Sequence, residues 1–429
     1  MFEKLSLLPL GHIIRNKSIQ NFLFLVVIQS SNILISIISM PLLIRSIGLD
    51  QFGLVNLSLS VIILLNILVG FGYNLSAPKD VAVSQLDKTA LSHLVSNVFS
   101  GKVLLATLAT FSIIVGVLGF NLFREYQTIL LFSCLLLFSE ATLPLWFFQG
   151  MEKMKLISIA NIFSKLLFLM GIVLFIHHPE QSKWVNFFMG FFGLSINIFL
   201  LFYIHTFLEI RFYRPQFSSI WKSLKENVLF FFSNLASHIS INGGLIILSF
   251  FSLAETLGMY SLAERVVMVL RLFPSLVVQA IYPNASKLFK KDEPRFFRFL
   301  KSIYFKVLIL GGFIALSTHL TAPWIITVLS RSELPESVSY LKILAAIPFL
   351  ACLNVGNVTI MLVADLKSLL FKASWMMCVY MLITATVFTS IWGGVGLCFA
   401  IISTEIVVFL ICTLLLYLRN RNLFRAFYT

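Results

Sequence analysis

Twelve apolar stretches follow one another along this chain, joined by connections too short to hold a core of their own. That succession constrains the fold more than any single motif does. A window of about 19 residues predicts spans at 20–44, 53–73, 97–119, 127–149, 156–176, 184–208, 227–251, 257–283, 302–328, 338–363, 371–391 and 394–418. Backbone polar groups in hydrocarbon must find partners within their own segment, so each span is expected as a helix. The chain's composition agrees: 59% of its 429 residues are hydrophobic, 12% are charged and the mean hydropathy is +0.96. Such a balance leaves no polar exterior for a water-soluble fold, so an all-α integral membrane protein is expected. The first apolar run is too long for a signal peptide and lacks a small-residue cleavage site, so it is expected to remain as a span.

Charge sets the expected orientation. Lys and Arg crowd the amino terminus, the even-numbered connections and the carboxyl tail, whereas the odd-numbered connections carry Arg45, Arg124, Lys183 and Arg331. Both termini are therefore predicted to be cytoplasmic. The net charge of +14 is accounted for largely by this asymmetry and gives no reason to expect nucleic-acid binding; membrane lipids are its expected partners. Cys134, Cys352, Cys378, Cys398 and Cys412 lie in apolar runs without CxxC or Cys/His spacing, so no disulfide framework and no metal site is expected.

The spans divide six and six about the polar, basic stretch 209–226, which contains Pro215. An amino-terminal bundle over 1–208, a cytoplasmic linker over 209–226 and a carboxyl-terminal bundle over 227–429 are expected. At an offset of 205 residues, Asp50-Gln51-Phe52-Gly53 aligns with Glu255-Thr256-Leu257-Gly258, each on a predicted outside turn. Two halves of even helix number share orientation, so a pseudo-two-fold axis along the membrane normal is expected. Pro41 and Gly243-Gly244 are predicted to interrupt the first helix of each half.

Charges inside the spans mark candidate functional positions, because an ionised group at membrane depth needs a partner or water. From the outer edge of the eighth span, Glu264 and Arg265 lie about 10 Å down and Arg271 about 20 Å down at 1.5 Å per residue. Glu264 and Arg271, seven apart, share a face. Glu140 and Lys165 lie equally far from the hairpin near residue 152 and are expected to reach one another. Either a static clamp or an ion relay fits that pair. Glu405, in the middle of the last span, has no evident partner and is a candidate protonatable site, as are Glu140 and Glu264. Lys102 either extends to the interface or faces a cavity. Lys306 and Lys342 are close enough to span ends to reach the interface, and His238 is expected as a hydrogen-bonded neutral imidazole. No phosphate-cradling loop, HExxH or nucleophile elbow occurs, and the short outside connections argue against an enzyme that builds glycans there.

Several stretches resemble a known family. Ser39-Met40-Pro41, Ile47 to Gly53, Gly70-Phe71-Gly72, Ala77 to Ala82 and, most specifically, Trp146 to Met154 resemble the Wzx-type O-antigen and polysaccharide flippases. So do Gly258 to Arg265 and Tyr282-Pro283. The resemblance covers essentially the whole chain and places it in the multidrug, oligosaccharidyl-lipid and polysaccharide exporter superfamily. It implies a flippase of the bacterial inner membrane that moves an undecaprenyl-diphosphate-linked oligosaccharide by alternating access; a monomer is expected. Coupling to H+ or Na+ would take the place of a cofactor, and other polysaccharide assembly proteins would be partners. On that reading Arg271, Arg265, Lys165 and Lys102 attract the diphosphate, and Glu140, Glu264 or Glu405 carries the coupling ion. The rival readings are a drug exporter of the same fold, a membrane glycan polymerase or ligase, and a non-transporting assembly scaffold.

Overall fold

The computed structural model describes residues 17–120, 123–214 and 217–428. The described residues are helical nearly throughout, and nine of their helices are long and apolar enough to cross a membrane. This is a multi-pass membrane protein. It forms two compact units: one takes in the residues up to Gly48 and Val61–Leu235, the other Leu49–Ser60 and everything from Ala236 onward.

The first helix, α1 (Lys17–Gly70), is continuous through Pro41 and breaks at Gly48, with φ 79° and ψ 168°. That backbone region is open essentially only to glycine. The expected interruption at Pro41 is therefore replaced by a single-residue break. Asp50 to Gly53, expected on a turn, begins the second limb of α1, with Phe52 buried.

In the first unit α2 (Tyr73–Val83) is followed by α3 (Lys88–Ile114), whose amino terminus is capped by Asp87 accepting from Thr89 N and Ala90 N, both at 3.0 Å. The fourth predicted span is three short helices, α4 (Gln127–Ser133), α5 (Leu135–Thr142) and α6 (Leu145–Gly150). Pro144 ends α5: it has no N–H to donate, and its ring drives Leu143 to an extended ψ of 111°. Next come α7 (Met154–Phe175) and α8 (Lys183–Thr206). Trp146, Phe147 and Phe148 of α6 are buried in one apolar cluster with Tyr73, Ala77 and Val81 of α2. A Cβ on Gly150 would come within 2.6 Å of the Pro78 carbonyl, so two of the stretches that resemble the flippase family are one packed joint. Helix α9 (Phe217–Asn242) belongs to this unit as far as Leu235.

The second unit contains the short α10 (Gly244–Leu248), α11 (Ala254–Lys291) and α12 (Glu293–Ser330). The tenth predicted span is again three pieces, α13 (Pro335–Leu344), α14 (Ile347–Leu353, with Pro348 in its first turn) and α15 (Val355–Val363). Helix α16 (Lys367–Arg419) breaks at Gly393, with φ 57° and ψ −135°, in the gap expected between the last two spans, and α17 (Arg421–Tyr428) closes the chain. Leu49–Ser60 crosses α11 closely: a Cβ on Gly53 would lie 2.5 Å from the Gly258 nitrogen. Phe305, Phe313, Leu320 and Trp324 of α12 are each at least 66% exposed. Water would disfavour them, whereas lipid is the natural solvent for that face.

Candidate functional site

Each unit holds a buried pair of opposite charges. In the first, Lys102 of α3 is fully buried and its Nζ stands 3.6 Å from Glu140 Oε1 of α5. The ammonium has no hydrogen-bond acceptor within range among the described residues, so the carboxylate's field is what offsets its desolvation. Glu140 is two residues from the end of α5, and its own carbonyl accepts a long 3.4 Å bond from Leu143 N. The break at Pro144 thus places the carboxylate beside a helix end.

Glu140 also lines a cavity of about 250 Å³ within this unit, together with Lys165 and four amides, Asn32, Asn66, Asn161 and Asn197. The expected Glu140–Lys165 pair is accordingly corrected. Counting equal distances from the hairpin assumes two unbroken helices, and the break at Pro144 invalidates the count. Lys165 is a wall of the same cavity, while the ion-pair partner of Glu140 is Lys102. Two of the amides are fixed by neighbours: Asn161 Oδ1 accepts from Ser31 Oγ at 3.3 Å, and Asn197 Nδ2 donates to the Ser139 carbonyl at 2.8 Å. The oxygens Asn32 Oδ1 and Asn66 Oδ1 are buried without a donor among the described residues.

In the second unit, α11 carries Tyr260, Glu264, Arg265 and Arg271. Tyr260 donates its hydroxyl to Glu264 Oε1 at 3.3 Å, one turn away on the same face. Arg265 points elsewhere, and its Nε donates to Asn56 Oδ1 at 3.1 Å on the second limb of α1. Arg271 forms an ion pair with Glu405 of α16, a carboxylate only 5% exposed. Glu405 therefore has the partner that the sequence did not reveal, and Arg271 is matched across helices rather than to Glu264 on its own.

The remaining in-span groups are plainer. Lys306 and Lys342 are exposed. His238 Nδ1 lies 3.4 Å from Asn242 Nδ2 within α9. Sequence reasoning missed Asn56 and the amide-lined cavity. Amides in apolar runs were the available signal, but a single sequence does not tell which of them converge.

With this geometry in place, comparison with known proteins is informative. The family described as "Polysaccharide biosynthesis protein" matches residues 18–289. A protein named "Putative O-antigen transporter" from Escherichia coli (strain K12) is 23% identical over 405 residues, covering 94% of this chain and 97% of that one. Its namesake from Shigella dysenteriae is 25% identical over 399 residues, covering 91% and 98%. Among solved structures, "Lipid II flippase MurJ, inward closed conformation" superposes with a TM-score of 0.70 at 15% identity, covering 95% of this chain and 90% of that one. At that identity the likeness shows a shared fold.

Proposed function

The chain belongs to the polysaccharide biosynthesis protein family and, in keeping with its relatives named as O-antigen transporters, is a membrane transporter rather than an enzyme; we propose that it flips an undecaprenyl-diphosphate-linked oligosaccharide. The movement runs from the cytoplasmic to the periplasmic leaflet of a bacterial inner membrane, by alternating access. Twelve spans result if α1 and α16 are each counted as two at Gly48 and Gly393 and α9 with α10 supplies one more. The Lys/Arg pattern favours cytoplasmic termini, and a bundle of six helices on each side of a linker at 209–226 is the arrangement we favour.

The observation that carries this reading is the buried Arg271–Glu405 pair. A diphosphate and its sugars cannot cross hydrocarbon unaided, whereas the prenyl tail has no reason to leave it. The protein therefore has to supply cations that accept an anion and later release it. A guanidinium presents a planar fork of donors suited to phosphate as well as to carboxylate. Glu405 holds Arg271 when cargo is absent, and the diphosphate displaces it. A proton or sodium ion arriving at Glu405 weakens the resident pair and favours loading; its loss restores the pair and favours release. Arg265 adds positive charge on the same helix. Lys165, on the cavity wall, plays the corresponding part in the first unit, Lys102 adds the field of its buried charge behind Glu140, which is the exchangeable partner, and Glu264 is a further ion-coupling candidate. An excess of cations over carboxylates suits an anionic cargo better than the cationic drugs of an exporter.

The test is export in a deletion strain complemented with Arg271→Ala or Arg271→Lys at matched membrane abundance. The expected outcome is loss of surface polysaccharide with Arg271→Ala, with lipid-linked units accumulating on the cytoplasmic leaflet, and partial rescue by Arg271→Lys. Normal export by Arg271→Ala would overturn the scheme.

A further inference from the structure

We propose that the amide-lined cavity of the first unit is a subsite for one sugar ring of the cargo. This rests on the reading of the cargo as a lipid-linked oligosaccharide and adds where one of its rings is held. The cavity, about 250 Å³, has room for a sugar ring.

The chemistry of the walls narrows the occupant further. Asn32 Oδ1 and Asn66 Oδ1 are buried acceptors lacking a donor among the described residues, and both residues line the cavity. Buried amide oxygens call for N–H or O–H donors. Glu140 adds a carboxylate acceptor, and Lys165 adds an ammonium on the same wall. Leu136, Ile157 and Met189 supply apolar surface between the polar groups. Hydroxyls that both donate and accept, carried on a ring with C–H faces, match that alternation.

Two other occupants fit less well. A metal cation would suit the amide oxygens, but the cavity's one carboxylate, Glu140, is already engaged by the Lys102 ammonium 3.6 Å away, and the Lys165 ammonium on the same wall repels a cation. A diphosphate held by Lys165 has no donor hydrogens to give Asn32 Oδ1 and Asn66 Oδ1, so those two oxygens are left to the sugar joined to it. The bonds that fix Asn161 and Asn197 mean that a ring enters a wall already arranged, which favours discrimination between epimers.

The decisive measurement uses the full-length protein in lipid nanodiscs and two kinds of probe. One is undecaprenyl diphosphate without sugar; the other is a set of undecaprenyl diphosphates each carrying one hexose or N-acetylhexosamine. Wild type is expected to bind at least one sugar-bearing probe about tenfold more tightly than the bare lipid. Asn66→Ala and Asn32→Ala are each expected to remove most of that margin while leaving affinity for the bare lipid within about twofold, which also reports that the variants are folded. Equal weakening of both probes, an unchanged margin, or no margin in wild type would overturn the subsite and leave the flippase reading standing. Failure of wild type to bind any of the probes would overturn both.

Discussion

Arg271 and Glu405 are 134 residues apart in the sequence and meet as an ion pair between α11 and α16, the Glu405 side chain buried and that of Arg271 partly exposed. Removing one member should therefore cost more than removing both. A broken buried pair typically costs about 3–5 kcal/mol, while apolar replacement of both partners is often near neutral. Arg271→Met and Glu405→Leu are each expected to lower the unfolding temperature in detergent, and the double variant to recover most of that loss. Export should stay absent in the double variant, separating the pair's structural role from its transport role.

A similar cycle applies to Lys102 and Glu140. Lys102→Met leaves Glu140 without its counter-charge, and Glu140→Gln leaves a fully buried ammonium unpaired. Glu140→Gln should be the more destabilising change, because Glu140 lines a cavity that water can enter and Lys102 does not. Thermal unfolding of the two single variants and the double variant would check the order.

Helix crossings give the largest expected effects from the smallest changes. A Cβ on Gly53 would lie 2.5 Å from the Gly258 nitrogen, and one on Gly150 would lie 2.6 Å from the Pro78 carbonyl. Both obstacles are backbone atoms, which cannot turn aside. Gly53→Ala and Gly150→Ala are each expected to lose about 1–3 kcal/mol or more by overpacking, seen as reduced membrane abundance and lower melting temperature. Gly70→Ala, whose nearest neighbour would be an Asn74 side-chain nitrogen at 3.7 Å, should be close to wild type on that contact alone.

Acid sensitivity is expected at the start of α3. The Thr89 hydroxyl and the Ala90 and Thr89 amides hold the Asp87 carboxyl below its ordinary range. A depressed carboxyl stabilises the fold above the unfolded value, near 4, and that contribution is lost as pH falls through the lower folded value. Hydrogen exchange at Thr89 and Ala90 should accelerate in that acid window. Asp87→Asn keeps the cap but does not titrate, so its exchange should lack this step.

The positions and ends of most helices were legible because apolar runs and short basic connections act locally. Gly393 falls where two spans were expected to meet, and the polar stretch after residue 208 was evident from composition. The partners of the charged residues were not legible. Helical spacing links Glu264 to Tyr260 and Arg271 within one helix, but Arg271–Glu405, Lys102–Glu140 and Arg265–Asn56 are set by packing between distant segments. Depth counting fails at Glu140 for a definite reason: Pro144 breaks the helix between Glu140 and the hairpin, so the count runs through a bend.

The break at Gly48 has a consequence for synthesis. Leu49–Ser60 belongs to the second unit, yet Asn56 is translated 209 residues before Arg265, whose side chain it receives. At about 5–20 residues per second, the nascent chain waits roughly 10–40 s before that partner exists. During this interval the Asn56 amide and the bare backbone at Gly53 lack the helix that will cover them. A gene divided at the linker would leave this early segment on the wrong polypeptide, so reassembly from two fragments would require the carboxyl-terminal piece to recruit it from its companion.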